Sequence, residues 1–159
     1  MRIAGWLLLV CSIAAVGGCG FRLQGQVPLA GNLRVINLQA VDGQSDFVQA
    51  ISRDLRGAGV TLDAGAPAVL AIERDELLER VASVSARNVP REYELTYVVR
   101  FSFKVGDETR LQGEEVAVSR DFSFDERAAV AKDREREQLR MTLAEEAAVI
   151  VLQRLASLR

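Results

Sequence analysis

Residues 93–105, with the sequence YELTYVVRFSFKV, decide the fold of this chain. Every second residue in the stretch is apolar, and the residues between them are polar apart from Val98. A period of two over this length predicts a strand with one buried face and one wet face. Residues 106–109 predict a turn, and residues 112–124 return with a similar alternation. The two segments are therefore predicted to form a long antiparallel hairpin.

Upstream of the hairpin, the pattern predicts a strand followed by a helix. Residues 33–38 (LRVINL) form a short apolar run that is typical of a buried strand. Ser45 and Asp46 are candidate N-caps, because apolar residues follow them at helical spacing. Gly57 and Gly59 are predicted to end the helix, because glycine adopts the left-handed conformation that closes a helix C-terminus.

The remaining segments complete an α+β prediction. Residues 60–62 predict a brief extended piece. Residues 68–86 predict one long irregular strand, although the middle of it favours helix by propensity, because a two-turn helix between two strand pieces is marginal. Asp125 is a predicted cap, and residues 133–158 predict an amphipathic helix. The predicted fold is a two-layer sandwich in which two helices pack on one face of a four-stranded mixed sheet, in the order β-α-β-β-β-α.

The N-terminus has the pattern of a secretory signal. Residues 1–18 contain one arginine, a short apolar run and small residues, which together predict a signal peptide. The segment VGGC at 16–19 resembles the bacterial lipobox. That resemblance implies cleavage before Cys19 and lipidation of its thiol. A plain signal peptide with a chance cysteine is the alternative. Gly20, rather than aspartate, follows the cysteine, which by the same analogy implies the outer membrane, facing the periplasm.

Composition excludes several kinds of chemistry. The 159 residues include no histidine and carry a formal net charge of −2, which argues against histidine-based catalysis, histidine metal sites and a globally basic nucleic-acid binder. Both cysteines, Cys11 and Cys19, fall in the N-terminal segment, so the rest of the chain has no disulfide or thiolate metal site. We predict no catalytic, cofactor or metal residues, a tether over 19–32 and a single domain over 33–159.

Basic side chains offer the best candidate site. Two groups lie near predicted turns or helix ends: Arg87 and Arg91 on either side of Pro90, and Lys132, Arg134 and Arg136 where the last helix begins. Arginine binds phosphate bidentately and lysine binds it as a point charge. Ordinary solubilising charge is the alternative interpretation. The acidic cluster within residues 73–79 is interpreted as exposed surface.

Six short motifs, in their order along the chain, resemble the LPS-assembly lipoprotein family LptE. They are CGFRLQG at 19–25, LRVI at 33–36, LRGAGV at 55–60, RN at 87–88, EY at 92–93 and AKD at 131–133. The resemblance covers nearly the whole chain and implies the same order of helices and strands.

The resemblance implies a non-enzymatic outer-membrane lipoprotein. Members of the family plug the LptD β-barrel translocon, help it to fold and bind lipopolysaccharide. Their lipopolysaccharide-contacting positions match Arg87 and Lys132, and Arg91 is a further candidate because it lies beside the same turn. The alternatives are another outer-membrane lipoprotein with a structural or small-ligand carrier role, and a periplasmic hydrolase that uses acidic residues.

Overall fold

The computed structural model describes residues 33–123 and 129–158 of the chain. These residues form five strands and two helices. The strands are β1 (Val35–Ala40), β2 (Thr61–Leu62), β3 (Ala68–Val84), β4 (Pro90–Val105) and β5 (Glu108–Ser123), and the helices are α1 (Asp46–Gly57) and α2 (Ala129–Ser157). The α+β class is confirmed.

The sheet has five strands in the order β2-β1-β3-β4-β5, so the predictions of four strands and of the element order β-α-β-β-β-α are wrong. The fifth strand is β2, whose residues Thr61 and Leu62 pair in parallel with Val35 and Ile36. Two residues are too few for any periodicity in the sequence, and this strand exists because β1 offers it an edge. β1 is also parallel to β3, whereas β3, β4 and β5 are antiparallel.

The long strand predicted before the hairpin is confirmed as β3, which has 17 residues. Its middle, ERDELLER, is extended because it pairs with β4 along nearly the whole strand. Tertiary pairing overrides the helix propensity of these residues. The register shifts between Ile72 and Arg74 and again near Val81 and Ser83, which accounts for the irregular pattern of the sequence.

Both ends of α1 lie where the sequence predicts them. Ser45 is the N-cap, and its Oγ accepts a hydrogen bond from the Val48 backbone N–H at 3.1 Å. Gly59 has φ +84° and donates its backbone N–H to the carbonyl oxygen of Arg56. Glycine adopts this left-handed conformation without the steric cost of a Cβ, so the chain can turn directly into β2.

α2 begins at Ala129, four residues before the predicted start, and Asp125 lies outside the described residues. The helix packs on the sheet through Leu143, Val151 and Leu155, which are all fully buried. These residues belong to one apolar cluster with Phe47 of α1 and with the odd-numbered residues of β4 from Tyr93 to Val105. The cluster fills the space between the helices and the sheet.

The strand register gives the domain two distinct ends. Ala68 pairs with Val105 at one end, which we call the base, and Val84 pairs with Pro90 at the other. Residues 84–91, which we call the hairpin tip, connect β3 to β4. At about 3.3 Å per residue, the 17 residues of β3 separate the base from the hairpin tip by roughly 50 Å. Since β1 is parallel to β3, the chain enters the domain from the base.

Candidate ligand-binding site

The hairpin tip is a tight turn that places Arg87 at its apex. The Asn88 N–H donates to the Ser85 carbonyl at 2.9 Å, and the Ser85 N–H donates to the Val89 carbonyl at 2.8 Å. The Ser85 Oγ also accepts from the Val89 N–H at 3.2 Å. Asn88 has φ +60°, so the loop is a three-residue connection in which a type I turn is followed by a left-handed residue. Asparagine tolerates that conformation better than other non-glycine residues.

Arg87 and Arg91 are both exposed, and neither makes a hydrogen bond or ion pair with a described residue. Arg91 lies in β4 rather than in the turn, because the strand begins one residue earlier. Farther along the same hairpin, Arg80 pairs with Glu94 and Arg74 with Glu76. The two guanidinium groups near the tip are therefore available for an anionic ligand, whereas these two others are already neutralised.

Lys132 lies at the same end of the domain but is already engaged. Its Nζ is 2.8 Å from Glu135 Oε2, 3.4 Å from Ser123 Oγ and 5.3 Å from the centre of the Phe122 ring. Ser123 pairs with Glu92, the residue next to Arg91, so the structure brings both predicted basic groups to one end. With its side chain 18% exposed, Lys132 could contact a ligand only while sharing its charge with Glu135.

The other two basic residues at the start of α2 differ from each other. Arg136 reaches back to the sheet and pairs with Glu79 of β3. Arg134 is exposed and has no partner among the described residues. The predicted second patch is thus a mixture of paired and unpaired charge.

Asp75 has a role that the sequence does not reveal. Its Oδ1 accepts a hydrogen bond from the Tyr97 hydroxyl at 2.5 Å, and its Oδ2 accepts one from the N-cap Ser45. Burial, together with the hydrogen bond to Asp75, raises the pKa of Tyr97 above its usual range, so the phenol stays protonated. This link joins β3, β4 and the start of α1, which makes Asp75 a structural residue.

A groove of about 470 Å³ lies between β3 and α2, close to this link. Leu77, Asp133, Arg136, Glu137 and Arg140 line it. Arg140 pairs with Asp46 and Glu137, so the cations of the groove are neutralised from within the chain. The cations of the groove are paired within the chain, whereas Arg87 and Arg91 have no partner among the described residues, and we therefore place the candidate site at the hairpin tip.

Within 33–123 and 129–158, no helix combines the length and apolar character that crossing a bilayer requires. No group of three or more acidic, cysteine or histidine residues in these ranges is arranged to hold a metal ion. Cys19 lies outside the described residues. The fold and the tip thus define a class: a small two-layer α+β domain whose end opposite the point of entry carries exposed arginines with no partner among the described residues.

The chain belongs to the LptE family, described as lipopolysaccharide-assembly, whose family model matches residues 33–155. The rare lipoprotein B of Shewanella oneidensis is 29% identical, with a TM-score of 0.70 over 77% of this chain and 94% of that one. An uncharacterized lipoprotein B of Nitrosomonas europaea is 19% identical, with a TM-score of 0.71 over 87% of this chain and 91% of that one. A minor lipoprotein of Acinetobacter baumannii is 14% identical, with a TM-score of 0.66 over 82% of this chain and 94% of that one. At these identities, the Nitrosomonas and Acinetobacter proteins show the fold alone. None of the curated protein sequences matches significantly.

Proposed function

We propose that this protein is an outer-membrane lipoprotein of lipopolysaccharide assembly that plugs an LptD-like β-barrel, helps it to fold and binds lipopolysaccharide. The observation that carries the proposal is the family match over residues 33–155. The role is non-enzymatic, and the chemistry that it needs is the presentation of charge and of a folded polar exterior. Outer-membrane barrel lumens are polar and wet, which suits a plug of this kind.

The shape of the domain supports this role. The chain enters at the base, and the proposed lipid on Cys19 would hold that end at the periplasmic leaflet. The hairpin tip lies roughly 50 Å away, since β3 has 17 residues. A bilayer with its headgroups is about 40–45 Å thick. A domain anchored at its base and enclosed in a barrel would therefore be long enough to present its tip near the outer leaflet.

Co-purification tests the barrel contact. Extraction of the full mature protein from its membrane in mild detergent should recover it with a stable LptD-like barrel. Recovery of the lipoprotein alone, under conditions that keep other barrel complexes intact, would overturn the plug. It would also favour the alternative of a structural or carrier lipoprotein.

Charge reversal at the hairpin tip tests the ligand. We propose Arg87, Arg91 and Lys132 as the lipopolysaccharide-binding residues. The pair Arg87→Asp and Arg91→Asp should weaken binding at least tenfold, because each removes a charge-assisted hydrogen bond to phosphate that is worth about 1.5–3 kcal/mol. Lys132→Gln should have a smaller effect, since Glu135 already holds the ammonium group.

Lys104→Asp is the matched control for this experiment. Lys104 is an exposed residue of β4, as Arg91 is, but it pairs with Val69 near the base. Its reversal changes the net charge by the same amount as either arginine reversal alone, at the far end of the strand. Equal losses in all variants would indicate general electrostatics, and an unchanged affinity in the Arg87 and Arg91 pair would reject the tip as the site.

A further inference from the structure

Strand β3 has a partner on both sides only along its first part. β1 pairs with it from Val69 to Ile72, whereas β4 pairs with its other side as far as Val84. From residue 73 onward, no described residue pairs with the edge of β3 that faces away from β4. Such an edge presents a row of free backbone N–H and C=O groups, and it is therefore a template for another extended chain.

Eight residues of this free edge, 74–81, which we call the open edge, are regular enough to pair with a further strand. Their register with β4 is continuous from Arg74 to Val81, and the register shifts of β3 lie outside this range. At about 3.3 Å per residue, the open edge is roughly 26 Å long. It contains no proline, glycine or lysine, whereas natural edge strands commonly use proline, lysine or a bulge to prevent further pairing.

The charged side chains of the open edge do not need to move when a strand is added. Each of them is already held by a neighbour in the domain: Arg74 by Glu76, Arg80 by Glu94, Glu79 by Arg136, and Asp75 by Ser45 and Tyr97. Side chains of a strand point to the two faces of the sheet, whereas its backbone hydrogen-bonding groups lie in the plane of the sheet. The held side chains therefore leave the backbone of the open edge accessible.

The groove of about 470 Å³ between β3 and α2 lies beside the open edge, on the helix side of the sheet. It exists because α2 packs mainly against β4 and β5, and because α1 begins only at Asp46. Leu77 of the open edge supplies the apolar part of the lining, and charged residues of α2 supply the rest. A strand paired with the open edge would place every second side chain in this groove, because successive side chains point to opposite faces.

The charge of the groove favours a basic partner. Its two cations, Arg136 and Arg140, are paired with carboxylates of the chain. Asp133 is exposed and makes no hydrogen bond or ion pair with a described residue. The groove therefore has an excess of negative charge next to the apolar surface of Leu77. Alternate side chains of an added strand, one aliphatic and one basic, would be complementary to Leu77 and Asp133.

We infer that the open edge and its groove bind an extended basic segment of a partner protein, which joins the sheet as a strand beside β3. Its backbone pairs with residues 74–81, and its aliphatic and basic side chains contact Leu77 and Asp133. Backbone hydrogen bonds give such a complex its affinity, and the groove selects the side chains. The inference goes beyond the proposed function and does not depend on it, because the surface includes neither the hairpin tip nor any residue proposed to bind lipopolysaccharide.

A synthetic peptide tests where the strand is added. The probe has eight residues, with threonine at the odd positions and valine and lysine alternating at the even positions. It is titrated against the full mature protein in mild detergent, and amide exchange is the measurement. We expect slower exchange at alternate amides within 74–81, because every second N–H of an edge strand points outward. Protection of β5, the edge strand on the other side of the sheet, in place of β3 would overturn the inference, as would the absence of binding.

Two N-methylated forms of the probe distinguish backbone pairing from charge attraction. One form carries the methyl groups on the threonine amides, and the other carries them on the valine and lysine amides, so both keep every charge. Only one of these two sets of amides faces β3 in a paired strand. One form should therefore bind about tenfold more weakly, and the other about as well as the probe itself. Equal affinities of the probe and both forms would indicate charge attraction alone and would reject the added strand.

Asp133→Arg tests the charge of the groove, and Asp107→Arg is the matched control. Asp133→Arg should weaken binding of the probe about fivefold, because attraction to its lysines becomes repulsion. Asp107 is exposed in the turn between β4 and β5, so its reversal changes the net charge equally at the base and should leave the affinity unchanged. Urea denaturation should show that both variants are folded.

Two outcomes would overturn the assignment of a basic partner. Equal losses of affinity in the Asp133→Arg and Asp107→Arg proteins would show that the probe responds to net charge rather than to the groove. A dimer of the native protein that dissociates as the probe binds, observed by light scattering, would show that a second copy of this chain occupies the open edge.

Discussion

Asn88 illustrates how one side chain sets the geometry of the candidate site. Its φ of +60° lies in the left-handed region, where a Cβ clashes with the following carbonyl oxygen. Asparagine tolerates this conformation, glycine adopts it freely and alanine does not. The position of Arg87 at the apex of the turn thus depends on its neighbour.

Replacing Asn88 by alanine or by glycine should show how much stability depends on the left-handed backbone at this position. Asn88→Ala is expected to lower the free energy of unfolding by about 1 kcal/mol, whereas Asn88→Gly should change it by only a few tenths. Urea denaturation measures both, and amide exchange at residues 85–89 reports whether the turn opens locally. Equal stabilities of the alanine and glycine variants would contradict the backbone explanation.

Tyr97 provides a second prediction, because its hydroxyl is held by Asp75 at 2.5 Å. Tyr97→Phe should cost about 1 kcal/mol, since it removes one hydrogen bond and leaves the carboxylate with that from Ser45. Because folding raises the pKa of Tyr97, the unfolded chain loses this proton first as the pH rises. The stability from this group is thus complete below about pH 10 and declines above it. Urea denaturation of both proteins between pH 8 and 11 should show the difference between them narrowing; a constant difference would contradict the linkage.

The long helix α2 owes its place to a buried stripe rather than to its charges. Its ion pairs to the sheet, such as Arg136 with Glu79 and Arg120 with Glu146, involve half-exposed side chains. Such pairs contribute about 0–1 kcal/mol each. Val151, by contrast, is fully buried in the core. The helix is therefore held chiefly by apolar contact.

Two identical substitutions in α2 test this account. Val151→Ala should lower the free energy of unfolding by about 2 kcal/mol, through lost burial and the cavity that remains. Val149→Ala, two residues away but 43% exposed, should change it by less than about 0.5 kcal/mol. Since both variants change helix propensity equally, the difference in denaturation midpoint isolates packing. Equal midpoints would show that α2 is not held by this stripe.

Along its full length, the domain has a point of entry at the base and an exposed charged turn at the other end. This polarity follows from the parallel pairing of β1 with β3, which fixes where the chain enters. The proposed anchor at Cys19 precedes that entry point. In the proposed role, anchoring and ligand contact thereby fall to opposite ends of the domain.

Loss of the proposed anchor should separate the protein from the membrane. Cys19→Ser removes the thiol that the lipobox resemblance implies is lipidated, and we expect an unlipidated chain in the soluble fraction. Cys11→Ser, within the same N-terminal segment, should leave a membrane-bound mature protein. Fractionation, together with the mass of the N-terminal peptide, measures both. A membrane-bound Cys19→Ser protein without an acyl mass would contradict the anchor.

Short-range sequence patterns were sufficient to predict the strands and helices whose signal extends over several residues. The alternation in β4, the caps of α1 and the apolar stripe of α2 each follow from a short-range rule, and the structure confirms them. The same sequence also predicted basic residues at one turn, which the structure places at the hairpin tip. The start of α2 was missed because helix ends leave little periodic signal. The extended piece at residues 60–62 was predicted, but its pairing with β1 as a fifth strand was not, because two residues carry no signal of their partner.

Contacts between segments that are distant in the sequence decided the remaining features of the fold and of the candidate site. The helix-prone middle of β3 is a strand because β4 lies beside it, and Thr61 with Leu62 form a strand because β1 has a free edge. Packing also determined that Lys132 is paired with Glu135, while Arg87 and Arg91 have no partner in the part of the chain that the structure describes. Side-chain type alone sets the charge of a residue. Whether that charge is free for a ligand depends on which neighbours the fold brings within hydrogen-bonding distance, and those neighbours are separated along the chain.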